Sequence, residues 1–377
     1  MAESFLNRLE QRITALSARN YPVTPFSFEQ FLVVLSRLYG LVVGIRGRLF
    51  KKRILGSKRL PCYVISIGNI VAGGSGKTPM AIYLAELVKA MGFKPVVVSR
   101  GYRGKLESKG GIVGTGDQVL LGPDDAGDEP FMMAGRCSFP VVVGKDRYQA
   151  GLAAINAFDP DVIILDDGFQ HLKLQRDLNV VLVDAKHPLG NGRLLPAGRL
   201  RESPRVIQER GDLIVFTRCD KHSQESTGDM GESILPLIAG KPVFRTCHTS
   251  YLSCYKGAGR DSENRGETLE RLSGKTALLF SGISDNPGFK TSVENIGVSV
   301  KAHLEFRDHH LYKSEDITRI HGIALEKGVE VLITTEKDYA RLDKDLAWRL
   351  DLAVIGIEIE LLGDNMGFKE HIRKGLE

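Results

Sequence analysis

The residues best suited to chemistry stand in GNIVAGGSGKTP, at positions 68–79. A lysine and a hydroxyl residue directly after clustered glycines suit the binding of phosphates. Gly73, Gly74, Ser75 and Gly76 can turn backbone N–H groups inward onto phosphate oxygens, and a helix starting there adds a positive partial charge. Lys77 then reaches the β- and γ-phosphates, and the Thr78 hydroxyl takes Mg²⁺. The spacing departs from the usual rule, which puts a glycine where this chain has Val71. A plain glycine-rich turn is the alternative. About 90 residues on, DVIILDDG ends an apolar run on Asp166 and Asp167. A carboxylate at the end of a buried strand can hold Mg²⁺ or its water shell. Two adjacent acids after such a run pack poorly unless cations offset them.

The elements that must position these residues can be read from the same chain. YVISIGN precedes the glycines as a short β-branched run, and TPMAIYLAELVKAMG follows them as an amphipathic helix closed by glycine. KPVVVSRG, FPVVVGK, DVIILDDG, LNVVLVDA and DLIVFTR continue the strand series. Apolar runs separated by helical stretches predict a mostly parallel sheet covered on both faces, a P-loop NTPase-like α/β/α sandwich. The pattern fades across 241–275 and resumes in KTALLFSG, SVKAHLEF, VEVLITTEKD and LAVIGIEIEL. Four segments are expected: an N-terminal helical one (1–60), a nucleotide domain (61–240), a linker (241–275) and a smaller α/β/α domain (276–377).

The composition, 42% hydrophobic and 26% charged, is that of a soluble globular protein, and the net charge of +5 is mild. No nucleic-acid partner is expected, and a monomer is. Five scattered cysteines without a CxxC pair argue against a disulfide framework or a structural zinc, and fit a reducing cytosol. MAESFLNRLEQ lacks the basic start and apolar core of a signal peptide. Within 26–50, Phe28, Phe31, Leu32, Leu35, Tyr39, Val42 and Ile45 recur at helical spacing. Arg37 and Arg46 break the run, so a bilayer crossing, which takes about 20 apolar residues, is not expected. Seven basic residues follow at 46–59 with no acid among them. An apolar face beside such a cluster suits a helix lying in an anionic membrane surface. A helix packed on the protein's own core suits it equally.

Taken in order, ISIGNIVAGGSGKTP, VVSRGYRG, AGDEP, DDGFQH, GNGRLLPAGRLRE, FRDHH and TTEKD resemble the tetraacyldisaccharide 4'-kinases, the lipid A 4'-kinases of Gram-negative bacteria. The resemblance covers about residues 25–355. That family also lacks the first phosphate-loop glycine, so Val71 accords with it. The resemblance implies phosphoryl transfer from Mg-ATP to the 4'-hydroxyl of a tetraacyl-glucosamine disaccharide 1-phosphate. It also implies peripheral attachment to the cytoplasmic face of the bacterial inner membrane, and two α/β/α domains joined by a two-stranded linker.

By similarity, AGDEP supplies Asp128 and Glu129, and FRDHH supplies His309. A sugar hydroxyl has a high pKa, so a carboxylate or imidazole must accept its proton as attack proceeds. Asp128 and His309 are the expected acceptor pair, with base and orienter not distinguished, and Glu129 assists Mg²⁺. Read alone, GDEP is an acidic surface turn and His309 a solvated histidine beside His310. His171 is expected to position a phosphate or a metal-bound carboxylate. Arg201 and Glu202 resemble the family's disaccharide-contacting pair, and Tyr102 is a further candidate for substrate contact.

The competing class is a membrane-attached P-loop NTPase regulator without a small-molecule acceptor. Ala72 counts against it, since partitioning regulators carry a lysine there. TRCD at 217–220 only partly matches a guanine-reading motif, and adenine is favoured on commonness alone.

Overall fold

The structure is a computed structural model that describes residues 13, 16, 21, 23–221, 233–259, 263–264, 267–343, 346 and 348–377. The N-terminal stretch inspected for a signal peptide, and with it the start of the expected 1–60 segment, lies outside the described residues. In chain order the main elements are α1 (Phe28–Lys51), β1 (Tyr63–Gly68), α2 (Lys77–Ala90), β2 (Pro95–Ser99), β3 (Gly111–Gly114), α3 (Asp128–Arg136) and β4 (Val141–Val143). Then come α4 (Arg147–Phe158), β5 (Val162–Leu165), β6 (Leu178–Asp184), α5 (Arg205–Arg210), β7 (Leu213–Thr217), β8 (Val243–Lys256) and β9 (Glu263–Asn264). The chain ends with β10 (Thr276–Ser281), α6 (Asn286–Asn295), β11 (Ser299–Glu305), α7 (Ser314–Glu326), β12 (Val331–Thr335), β13 (Asp351–Leu362) and α8 (Asn365–Leu376).

Two compact units result. The first holds residues up to Arg100, Gly144–Cys247 and Glu360–Glu377; the second holds Gly101–Val143 and His248–Ile359. The unbroken 61–240 segment read from the sequence is therefore interrupted by an excursion into the second unit. Within it β3 and β4 pair antiparallel, and α3 covers both. The stretch taken as a linker holds the long strand β8, whose Leu252 and Tyr255 enter the second unit's core.

In the first unit β1 lies between β5 and β6, β2 borders β5 and β7 borders β6, all parallel. Every residue of β2, β5 and β7 is buried, as sheets covered on both faces require. In the second unit β11, β10, β12 and β13 are parallel neighbours. Strand alternation splits β10 between two cores: Ala277 and Leu279 face one, Leu278 and Phe280 the other. That division is what a layer of helices on each face produces.

Helix α1 is capped by Ser27, which accepts from the Gln30 N–H at 3.1 Å. It is anchored by polar groups along one side. Ser36 donates to Leu194 O at 2.7 Å and accepts from the Ala197 N–H, and Tyr39 donates to Arg201 O at 2.9 Å. The apolar face read from the sequence is divided: Leu32 is buried, whereas Phe31, Val42 and Ile45 are exposed, as are Val34, Leu38 and Leu41, which that reading did not include. By length and composition α1 is long and apolar enough to cross a membrane, which the count of uninterrupted apolar residues had set aside.

Candidate functional site

In the first unit the glycine-rich turn joins β1 to α2 as its chemistry requires. Gly73 and Gly76 take positive φ, +119° and +79°, which side-chain-bearing residues rarely adopt. Gly74 does not, so among the loop glycines the backbone freedom is used at Gly73 and Gly76. Val71 needs no such freedom. It bridges Leu200 antiparallel and packs against the core cluster around Ile70 and Phe169.

Lys77 opens α2, and its ammonium donates to Gly73 O at 3.2 Å and lies 4.0 Å from Asp167. Thr78 and Ser99 each direct a hydroxyl at Asp166, at 3.4 and 3.3 Å. Ser75 is buried in the turn. Asp167 has φ +52° and receives the Arg201 guanidinium on both carboxylate oxygens at 2.9 Å. Burial opposes its charge, but Lys77 and Arg201 hold its carboxyl below the usual range. The cations needed beside two adjacent acids are thus present.

The oxygens of Thr78 and Asp166 form the hard donor set that Mg²⁺ prefers. Among the described residues no group of three or more His, Cys, Asp or Glu is arranged as a metal site. Mg²⁺ usually keeps several waters and binds through one or two carboxylates plus phosphate oxygens, so this sparse set fits it.

His171 sits just beyond this turn, and its N–H bonds Gly168 O at 2.9 Å. Burial and the neighbouring Arg147 push its imidazole down to about 4, so it is neutral at physiological pH. Arg201 and Glu202 do not face each other. Arg201 turns to Asp167, whereas the buried Glu202 accepts from Arg210 at 2.7 Å.

The second unit holds the other candidates. Asp128, the first residue of α3, lies 2.9 Å from His309 Nδ1 through Oδ2. Arg341 Nε donates to the same oxygen at 2.8 Å, and its terminal nitrogen lies 3.3 Å from His309 Nδ1. Desolvation raises the Asp128 carboxyl, but the bonds from His309 and Arg341 outweigh it and leave it lowered. His309 adopts φ +63°, an uncommon backbone state for such a residue. Tyr102 stands edge-on to its ring at 5.9 Å between centroids and is about half exposed.

Arg341 is itself fixed from below. Its side chain is 1% exposed and bonds the fully buried Asp338 at 3.2 Å, which also accepts from Gly282 N, Tyr312 OH and Thr335 Oγ1. Glu129 is ion-paired to Lys337, two positions past the strand β12. Although burial works against the ammonium, Glu129 holds Lys337 above its usual range.

Arg341 and Lys337 escaped the sequence reading. Lys337 stands inside TTEKD, and Arg341 follows Asp338 by three residues, the spacing at which helical side chains meet. Arg341 lies just outside the motif, and only this spacing could have drawn attention to it.

A glycine-rich turn opening a helix, a lysine on it, hydroxyls over a buried strand-end acid and a parallel sheet covered on both faces define a phosphate-loop phosphotransferase. Residues 28–377 match the family described as tetraacyldisaccharide-1-P 4'-kinase. A tetraacyldisaccharide 4'-kinase of Desulfatibacillum aliphaticivorans is 40% identical over 333 residues, covering 87% of this chain and 88% of the relative. One from Geobacter sulfurreducens is 39% identical over 334 residues, 88% of this chain and 89% of the relative. A crystal structure of LpxK from Aquifex aeolicus in complex with ATP superposes with a TM-score of 0.71 at 30% identity, covering 93% of this chain and all of that one. The chain belongs to the tetraacyldisaccharide-1-P 4'-kinase family.

Proposed function

We propose that this protein transfers the γ-phosphate of ATP to the 4'-hydroxyl of a tetraacylated glucosamine disaccharide 1-phosphate, with Mg²⁺. The observation that carries this reading is the 2.9 Å bond between Asp128 and His309. A sugar hydroxyl gives up its proton only to a positioned acceptor, and these two side chains form one. The hydroxyl oxygen bonds to the γ-phosphorus, the bridging P–O bond breaks to release ADP, and the proton passes to the pair. Lys77 stabilises charge on the transferring group. Thr78 and Asp166 would hold Mg²⁺, which when bound neutralises the phosphate oxygens. Asp167 would orient Lys77 and Arg201, and Glu129 and Lys337 would order the approach to the acceptor pair. Tyr102, His171, Arg201 and Glu202 are assigned to the disaccharide or to the loops that hold it.

The substrate is an amphiphile, and α1 presents an apolar face that is exposed among the described residues. With the basic residues at 46–59, this supports a protein lying in an anionic inner-membrane surface on its cytoplasmic side. The side-on bonds from Ser36 and Tyr39 to the segment Leu194–Arg201 favour a helix lying along the protein over one that leaves it to span a bilayer.

The test is purified protein with radiolabelled ATP and the disaccharide 1-phosphate lipid in detergent. A labelled bisphosphorylated lipid is the expected product. Label released only as free phosphate, and only when a protein partner is added, would establish the regulator instead.

A further inference from the structure

We infer that Arg199 is an arginine finger supplied in cis, a guanidinium that bridges the terminal phosphate of the nucleotide during transfer; the inference rests on the ATP-binding reading above. The segment carrying it is lashed to the phosphate loop by backbone pairing. Ala72 N–H donates to Arg199 O at 2.7 Å, Arg201 N–H donates to Ile70 O at 2.7 Å, and Val71 bridges Leu200. Extended chain sends alternate side chains to opposite faces. Leu200 is accordingly buried in the core, and Arg199 and Arg201 emerge together on the other side.

Their charges have different fates. Arg201 is spent on Asp167. The Arg199 guanidinium has no ion-pair or hydrogen-bond partner among the described residues and is only half-buried. It lies against Gly73: its central carbon is 3.1 Å and its Nε 3.8 Å from where a Gly73 Cβ would stand, and a side chain there would collide with it. Gly73 O is also the group that holds the Lys77 ammonium. Arg199 therefore sits over the part of the loop nearest the lysine that serves the β- and γ-phosphates. A planar fork of donors suits two phosphate oxygens, and an arginine so placed stabilises charge that develops as the γ-phosphoryl leaves. Because its backbone is hydrogen-bonded to the loop, the guanidinium keeps its register with the phosphates.

The test compares wild type with Arg199→Gln and Arg199→Lys. Calorimetry without lipid measures binding of ATP, ADP and ADP with aluminium fluoride; steady-state assays give kcat and the KM for lipid. For Arg199→Gln, ADP binding should stay within about twofold. ADP with aluminium fluoride should lose its advantage over ADP alone, and kcat should fall roughly 10³-fold, the lower end for such residues. The lipid KM should hold, and Arg199→Lys should recover part of kcat. A kcat within threefold of wild type would overturn the inference, as would a raised lipid KM at unchanged kcat, which would assign Arg199 to a phosphate of the acceptor. Unchanged melting temperatures separate either result from misfolding. Failure of the wild-type protein itself to bind ATP would instead refute the kinase reading.

Discussion

Arg341 and Asp128 lie 213 positions apart in the chain, yet Arg341 Nε donates to Asp128 Oδ2 at 2.8 Å while the same carboxylate oxygen meets His309. The pair proposed to accept the proton is thus held by a buried cation that is itself seated on Asp338. Replacing Arg341 by Lys keeps the charge but loses the fork, so kcat should fall about 10- to 100-fold with little change in the KM for ATP. Arg341 holds the Asp128 carboxyl low, so the acidic limb of the rate profile should move to higher pH in the variant. A depressed carboxyl contributes stability above its unfolded pKa and loses it as pH falls through the folded one. The wild type should therefore keep activity to lower pH than Arg341→Lys. An unmoved limb would reduce Arg341 to a structural role.

Asp128→Ala and His309→Ala should each depress transfer far more than nucleotide affinity. Since one bond joins the two, the double variant should be scarcely slower than the worse single. Fully multiplicative losses, measured as kcat on the lipid acceptor, would mean that the residues act separately.

Lys77→Ala should lower kcat by roughly 10²–10³ without unfolding the protein, since its ammonium is directed at Gly73 O and Asp167 and not into the core. Near-normal turnover at saturating ATP would sink the phosphate-loop assignment.

His171 is half-buried as the neutral imidazole, with its folded pKa at about 4 against an ordinary 6.5. Between those values the unfolded chain binds the extra proton, so stability should decline as pH drops from about 6.5 to about 4 and flatten below. In urea unfolding, His171→Phe should remove much of that slope. An identical slope in the variant would place its origin elsewhere.

Phe31 and Leu38 are each more than half exposed on α1, whereas Leu32 is 2% exposed. Phe31→Glu with Leu38→Glu should leave the melting temperature nearly unchanged and release the protein from anionic vesicles. Leu32→Ala should cost about 2–5 kcal/mol of stability and leave vesicle binding intact in the folded fraction. Sedimentation with vesicles, alongside thermal melts, distinguishes these outcomes. If the double Glu variant unfolds, the exposed face serves the fold and not a lipid surface.

Much was legible in the sequence because it is encoded locally. Strand and helix alternation, the phosphate loop and the paired acids after β5 rest on neighbours within a few positions, where periodicity and turn chemistry act. Motif resemblance supplied the family and nominated Asp128 and His309.

What only the tertiary structure decided are relations between distant segments. That residues 101–143 fold with the second unit follows from contacts between distant segments, such as those of Asp128 with His309 and Arg341, which no contiguous reading of composition reveals. The face of α1 that is buried was set by Ser36 and Tyr39 finding carbonyls near Leu194 and Arg201, not by hydrophobic spacing, which marked Leu32 and Phe31 alike. Glu202, expected from the resemblance to contact the disaccharide together with Arg201, is paired with Arg210, since a buried carboxylate needs a cation beside it. Arg341 carried no signal beyond its spacing from Asp338, and Arg199 none that set it apart from the other arginines of its segment. An arginine's role depends on which carboxylates lie within about 4 Å, and the chain sets those distances only by folding.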